Sequence, residues 1–155
     1  MMLEAKVLTV SDSVQAGTRQ DGSGPALVSY LSDHGFDVIA VETVPDGTEP
    51  VSTALHRLSE GFCGLLVTTG GTGFSPTDVT PEGTLAVVER QAPGLAEAIR
   101  AASPLGRLSR GVAGTVGACL IVNLPGSRSG ALESIGSVVD VLPHALDLLA
   151  GGHPH

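Results

Sequence analysis

Two hydrophobic rhythms run along this chain. Short apolar runs recur at residues 6–11, 38–44 and 65–68, and each reads as a buried strand. Between them apolar residues fall at helical spacing: Leu27, Val28, Tyr30 and Leu31, then Val51, Ala54, Leu55 and Leu58. Punctuation supports both helices. Ser23 is placed as an N-cap with Pro25 in the first turn and Gly35 at the end, and Thr48 is placed as a cap with Gly61 closing. Strands alternating with helices of about a dozen residues predict βαβ units and a parallel sheet with right-handed connections.

The second half is less regular. Thr80 is read as the next helix cap, with Pro81 at its first position and Leu85, Val87 and Val88 following. Pro93 opens a helix through Arg100, and residues 103–110 look irregular. Val112-Ala113 and residues 118–123 suit a hairpin pair around Gly114-Thr115-Val116-Gly117. Helical stretches over residues 130–139 and 143–150 precede a tail, 151–155, that is expected to fray. The expectation is one domain over residues 1–150, a three-layer α/β/α fold with a mostly parallel central sheet.

Composition narrows the function. A chain of 155 residues buries enough surface to fold without disulfide or metal staples. The formal net charge is −8, with Lys6 the one lysine, which argues against bulk nucleic-acid binding. A small phosphorylated ligand stays compatible, because backbone amides and a divalent cation neutralise it locally. No Gly-Lys-Ser/Thr motif is present, so a P-loop NTPase is excluded. Cys63 and Cys119 sit in apolar runs and are expected as small buried residues of central strands. The N-terminal residues look like neither signal nor transit peptide, and no apolar run approaches membrane-span length. A cytoplasmic protein with no membrane partner is expected.

The most informative stretch is Thr68-Thr69-Gly70-Gly71-Thr72-Gly73, followed by Phe74-Ser75-Pro76-Thr77-Asp78-Val79-Thr80-Pro81-Glu82. A buried strand empties into a glycine turn, then a carboxylate, then a helix start. Glycines let backbone N–H groups approach a phosphate, and a helix N-terminus adds a favourable dipole. Asp78 cannot bind phosphate directly, so it points to a metal ion or a polar organic ligand. In open α/β sheets ligands bind outside the carboxyl ends of strands. Four polar loops occupy such ends: the loop after Ser11, Pro45-Asp46-Gly47, the Gly70–Asp78 segment, and Pro125-Gly126-Ser127.

These motifs resemble a known family. Ser11-Asp12-Ser13, Asp21-Gly22-Ser23-Gly24, Pro45-Asp46-Gly47 and the run from Thr68 to Gly73 stand in its order. So do Asp78-Val79-Thr80-Pro81-Glu82, Pro93-Gly94-Leu95-Ala96-Glu97, Leu108-Ser109-Arg110 and Asn123-Leu124-Pro125-Gly126-Ser127. Over nearly its whole length the chain resembles molybdenum-cofactor biosynthesis proteins of the MogA/MoaB type, also found as domains of gephyrin and its plant counterpart. The resemblance implies a trimeric α/β protein that binds molybdopterin. Its catalytic members transfer AMP from Mg·ATP to the molybdopterin phosphate, release pyrophosphate, and pass the product to a MoeA-type molybdate-inserting partner. It implies that Asp46 and Asp78 are the critical aspartates. Gly70, Gly71, Thr72 and Gly73, with Ser11, would serve nucleotide and phosphate, and Pro125, Gly126 and Ser127 the pterin. Arg128 departs from the pattern, which commonly has proline after that serine.

The chemistry suits these residues. A phosphate nucleophile is already anionic, so no strong base is needed, and His34 and His56 lie on expected helix surfaces. Catalysis then rests on positioning and charge neutralisation. Two polyanions meeting in an acidic protein call for Mg²⁺, for which Asp46 and Asp78 are the candidate ligands. Plainer roles stand beside these. Asp46 in Pro-Asp-Gly suits a β-turn, Asp78 the dipole of the next helix, and Ser127 an N-cap. Asp12 and Asp21 read as capping residues of the first loop. A non-catalytic pterin- or nucleotide-binding paralogue, or an oligomeric interaction module, is the competing function. A flavodoxin-like domain is disfavoured by the scarcity of aromatic residues to stack a flavin.

Overall fold

The computed structural model describes residues 2–152. The elements run β1 (Leu3–Val10), α1 (Asp12–Gln15), α2 (Ser23–Asp33), β2 (Phe36–Val44), α3 (Thr48–Ser59), β3 (Gly64–Thr69) and α4 (Thr80–Leu85). They continue as β4 (Arg90–Gln91), α5 (Pro93–Ala101), a 3₁₀ turn (Pro104–Leu108), β5 (Ala113–Val116), β6 (Cys119–Leu124), α6 (Arg128–Gly136) and α7 (Leu142–Leu149). The sheet order is β2-β1-β3-β6-β5-β4. β2, β1, β3 and β6 are parallel, while β5 and β4 add an antiparallel edge. The expected α/β architecture is therefore present.

Packing follows from the strand sequences. Every residue of β3 and of β6 is buried, as central parallel strands covered on both faces require. Leu65 and Val67 point into a core shared with Leu27 and Leu31 of α2, Ile99 of α5, Ile135 of α6 and Leu142 of α7. Leu66 and Ile121 point the other way, onto Val51, Leu55 and Leu58 of α3. These opposite faces make the three layers. The carboxyl ends of β1, β3 and β6 then open on one edge, where the glycine loop, the Pro45 turn and the Pro125 turn meet.

Several local expectations need correction. The first loop contains α1, whose start is capped by Ser11, with Oγ accepting from Val14 N at 3.3 Å. Gly22, not Ser23, is the N-cap of α2, and Asp21 supplies the capping oxygen to Gly24 N at 2.9 Å. Gly47 and Val79, not Thr48 and Thr80, precede α3 and α4. Residues 103–110 include the 3₁₀ turn, and β4 is an added edge strand too short to show a period.

Cys63 is exposed and lies outside β3. Phe62 takes the inward position, packs under Lys6 Nζ at 4.1 Å, and covers Gly64, so the chain turns the Cys63 thiol outward. Cys119 is buried as expected, and that burial pushes its thiol up to about 12. Gly151 and Gly152 donate to the carbonyls of Leu148 and Asp147 at the end of α7, and residues 153–155 of the expected tail lie outside the described residues.

Candidate functional site

The glycine loop is built by close backbone approach. Gly70 has φ +103°, and a Cβ there would stand 2.3 Å from Val10 O. Gly71 has φ +69°, and its Cβ would stand 2.2 Å from Thr80 Oγ1. Only glycine lets this turn press against the end of β1 on one side and the start of α4 on the other. Gly70 N donates to Leu124 O at 3.1 Å and Thr80 N to Gly71 O at 3.0 Å, so the turn is tied to both neighbours.

Three aspartates surround the turn. Asp12 Oδ1 accepts from Asp46 N, and Asp46 Oδ2 accepts from Asp12 N, each at 3.0 Å. Asp78 Oδ2 accepts from Ser75 N at 3.0 Å. Each carboxylate thus spends one oxygen on a backbone amide and keeps the other without a hydrogen-bond partner among the described residues. Asp21 differs: both its oxygens are used, on Gly24 N and on Thr9 Oγ1. Burial pushes the Asp46 carboxyl above its ordinary range; the Asp12 N–H opposes this, and the Asp12 and Asp78 charges add to it.

Buried polar groups brace the turn from behind. Asn123, at the end of β6, donates through Nδ2 to Thr68 Oγ1 and Thr84 Oγ1 at 3.0 Å each, and accepts from Val112 N at 3.1 Å. Thr69 Oγ1 donates to Pro125 O at 2.7 Å and lies 2.9 Å from Ser23 Oγ. Fully satisfied buried networks of this kind hold one arrangement. Ser127 caps α6, accepting from Gly130 N at 3.1 Å, so its plainer reading is present in the fold. Thr80 Oγ1 is the exception: it is buried and lacks a partner among the described residues.

Two cavities open at this edge. The smaller, about 370 Å³, is lined by Ser11, Asp46 and Gly70, with Asp12, Arg19 and Thr77. The larger, about 700 Å³, is lined by Thr72, Gly73, Pro125 and Ser127 and by an apolar wall of Pro104, Leu105 and Leu108. Gly71, Asp78 and Gly126 line both. All ten candidate residues read from the sequence therefore fall on one pair of adjoining cavities. Arg128 lines neither.

Four contributors escaped sequence reasoning. Asp12 reads in the sequence as a capping residue but pairs with Asp46, a relation between loops 34 residues apart. Asn123 and Arg110 stood in the motifs without a role. Thr80 reads in the sequence only as a cap. Leu105 and Leu108 of the 3₁₀ wall are exposed and follow no hydrophobic period, and only Leu108 falls in a motif. Among the described residues no group of three or more His, Cys, Asp or Glu is placed to hold a metal unaided, and no helix is long and apolar enough to cross a membrane.

Residues 6–144 match the model of the family described as probable molybdopterin binding domain. The chain belongs to the MogA/MoaB family of molybdopterin-binding proteins. A molybdopterin adenylyltransferase from Helicobacter pylori is 34% identical over 154 residues, covering 95% of this chain and 88% of that protein. Gephyrin from Dictyostelium discoideum is 36% identical over 157 residues, and the chain spans 22% of its length. Among solved structures, the molybdopterin biosynthesis enzyme MoaB from Thermus thermophilus superposes with a TM-score of 0.90 at 45% identity, covering 97% of this chain and 98% of that one.

Proposed function

We propose that this MogA/MoaB-family protein is a molybdopterin adenylyltransferase, transferring AMP from ATP to the molybdopterin phosphate. The observation that carries the reading is the shared wall of Gly71, Asp78 and Gly126 between two cavities of different character. A two-substrate transfer needs two ligands brought end to end, and a shared wall of backbone and one carboxylate does that. The larger cavity, with its apolar 3₁₀ wall, suits a planar ring system. The smaller polar cavity suits phosphates approached by the Gly70–Gly71 backbone.

In this reading a molybdopterin phosphate oxygen attacks the α-phosphorus of ATP. The bond to the bridging oxygen of the β-phosphate breaks, and pyrophosphate leaves with that electron pair. The chain's part is to orient both phosphates and to exclude alternatives, with no side chain required as base. The donor set fits Mg²⁺: hard carboxylate oxygens on Asp46 and Asp78, each with one oxygen fixed by a backbone amide and one left over. Asp46 and Asp78 would hold the ion, and phosphate oxygens of the substrates would supply further ligands. An ion held there would supply neutralisation of phosphate charge in an acidic protein.

The assembly is proposed as a homotrimer, and the product as one handed to a MoeA-type molybdate-inserting protein. Support for self-association comes from an apolar groove lined by Leu95, Leu120, Val141, Leu148 and Leu149, in which Val141 is 46% and Leu148 43% exposed. The functional test is incubation with molybdopterin, ATP and Mg²⁺. Adenylyl-molybdopterin with equimolar pyrophosphate is expected. Tight pterin binding without either product identifies the chain as a non-catalytic paralogue.

A further inference from the structure

Arg110 lines neither of the two cavities, yet its hydrogen bonds reach residues that do. Its backbone N–H donates to Thr72 O at 2.7 Å, its Nε to Gly73 O at 2.9 Å, and its Nη2 to Asp78 O. These carbonyls stand at the two ends of the segment that carries Phe74, Ser75, Pro76 and Thr77, all exposed. One side chain therefore draws both ends of that loop together. The same guanidinium reaches Glu82 of α4, with Nη1 to Oε2 at 2.8 Å and Nη2 to Oε1 at 3.2 Å. Arg110 follows the 3₁₀ turn directly through Ser109, and that turn forms the opposite wall of the larger cavity.

The charge is already committed. Glu82 sits below its ordinary carboxylate value because of the Arg110 hydrogen bond. Four of the guanidinium's five N–H donors engage carbonyls and Glu82, so its fixed fork acts here as a geometric device. The bonds hold the segment bearing Asp78 against the segment bearing Leu105 and Leu108.

We propose that Arg110 is a positioning residue that couples the two walls of the larger cavity, fixing the Gly73–Asp78 loop and with it the Asp78 carboxylate. For its consequence on turnover the inference rests on the adenylyl-transfer reading; for the loop itself it does not.

Three variants test it by amide exchange and steady-state kinetics. In Arg110→Met, the Ser75 and Asp78 amides, which donate to Asp78 Oδ2 and Ser75 O, should exchange roughly ten-fold faster or more, while Val67 and Ile121 amides in the sheet stay protected. The ATP KM should rise by about the same factor, with kcat falling less. Arg110→Lys, which keeps the charge but one donor group, should recover part of the protection. Glu82→Gln should leave loop exchange and KM near normal.

Lost turnover with unchanged loop exchange would overturn the proposal, because Arg110 would then touch substrate. Uniform acceleration that includes the sheet amides would also overturn it, leaving only general support of the fold. Tighter ATP binding by Glu82→Gln would show that the freed charge serves phosphate, which is equally fatal. If the unmodified protein makes no adenylyl-molybdopterin, the exchange measurement still decides whether Arg110 holds the loop.

Discussion

Asp12 and Asp46 hold each other: each carboxylate accepts the other's backbone N–H at 3.0 Å, across 34 residues of chain. The exchange pins the end of β1 to the turn after β2 and aims the spare Asp46 oxygen at the glycine loop. It also half-buries a carboxylate among other carboxylates. The Asp46 pKa is raised first by burial and then by the Asp12 and Asp78 charges, against the pull of the Asp12 N–H.

The sign of the consequence follows. A raised folded pKa means that the ionised form is disfavoured in the folded chain relative to the unfolded one. That penalty is absent below the ordinary carboxylate value and fully present above the raised one. Asp46→Asn keeps an oxygen for the Asp12 amide and removes the charge. Its Tm should equal or exceed that of the unmodified protein at pH 7, and the difference should vanish as pH falls through the carboxylate range. Turnover should fall roughly 10²–10³-fold, the scale of one preorganised electrostatic group. In the unmodified protein the acid limb of kcat/KM should lie above the ordinary carboxylate value and move down when Mg²⁺ is raised. A thermal melt series and a pH–rate profile check both halves.

Gly71 is the point where the loop leaves no room. At φ +69° any other residue is strained, and a Cβ would meet Thr80 Oγ1 at 2.2 Å. Gly71→Ala should lower stability by about 1–3 kcal/mol and weaken nucleotide binding together, read by denaturant unfolding and calorimetry. Thr80→Val is the matched control. Its hydroxyl is buried without a partner among the described residues, so removing it should be neutral or slightly stabilising.

Much of this was legible before the structure because the relevant physics is local. Apolar runs of 4–8 residues marked β1, β2 and β3, and helical spacing marked α2 and α3. The rule that ligands lie at strand carboxyl ends gathered the Ser11, Asp46, Gly70 and Gly126 loops. What escaped was non-local. Nothing near Asp12 announces Asp46 as its partner, and nothing near Arg110 announces the carbonyls of Thr72, Gly73 and Asp78. The cap of α2 lies one residue earlier than the local pattern predicts because Ser23 Oγ faces Thr69 instead of its own helix. The exposure of Cys63 is not legible in the sequence, because periodicity cannot tell that Phe62 takes the inward place beside it.

Self-association has a local test. Val141 and Leu148 are exposed on a largely apolar groove that also carries Arg90, Thr115 and His144. If copies pack there, a carboxylate placed in the contact among leucines loses its hydration and disfavours assembly. Light scattering should give roughly three times the 15.6 kDa chain mass for the unmodified protein and a smaller species for Leu148→Glu. A 15.6 kDa particle at micromolar concentration rules the trimer out.

Asp78 separates chemistry from architecture, because its two oxygens have different employment. Oδ2 accepts from Ser75 N at 3.0 Å and shapes the loop; the other oxygen has no hydrogen-bond partner among the described residues, and Asp78 lines both cavities. Asp78→Asn retains an oxygen for Ser75 and loses the charge. Asp78→Ala loses both. If the carboxylate serves only the turn, Asn should behave as Asp does, and Ala should lower stability by about 0.5–1.5 kcal/mol, the net worth of one hydrogen bond. If the charge steers phosphates through a divalent cation, Asn should keep the unmodified Tm and lose roughly 10²–10³-fold in turnover. Ala should then match that loss and melt earlier as well. The affinity for ATP should also lose most of its Mg²⁺ dependence in Asn, which calorimetry with and without EDTA reads directly. Near-normal adenylylation by a well-folded Asp78→Asn protein would leave the loop as architecture and move the chemistry to Asp46 and its partner Asp12.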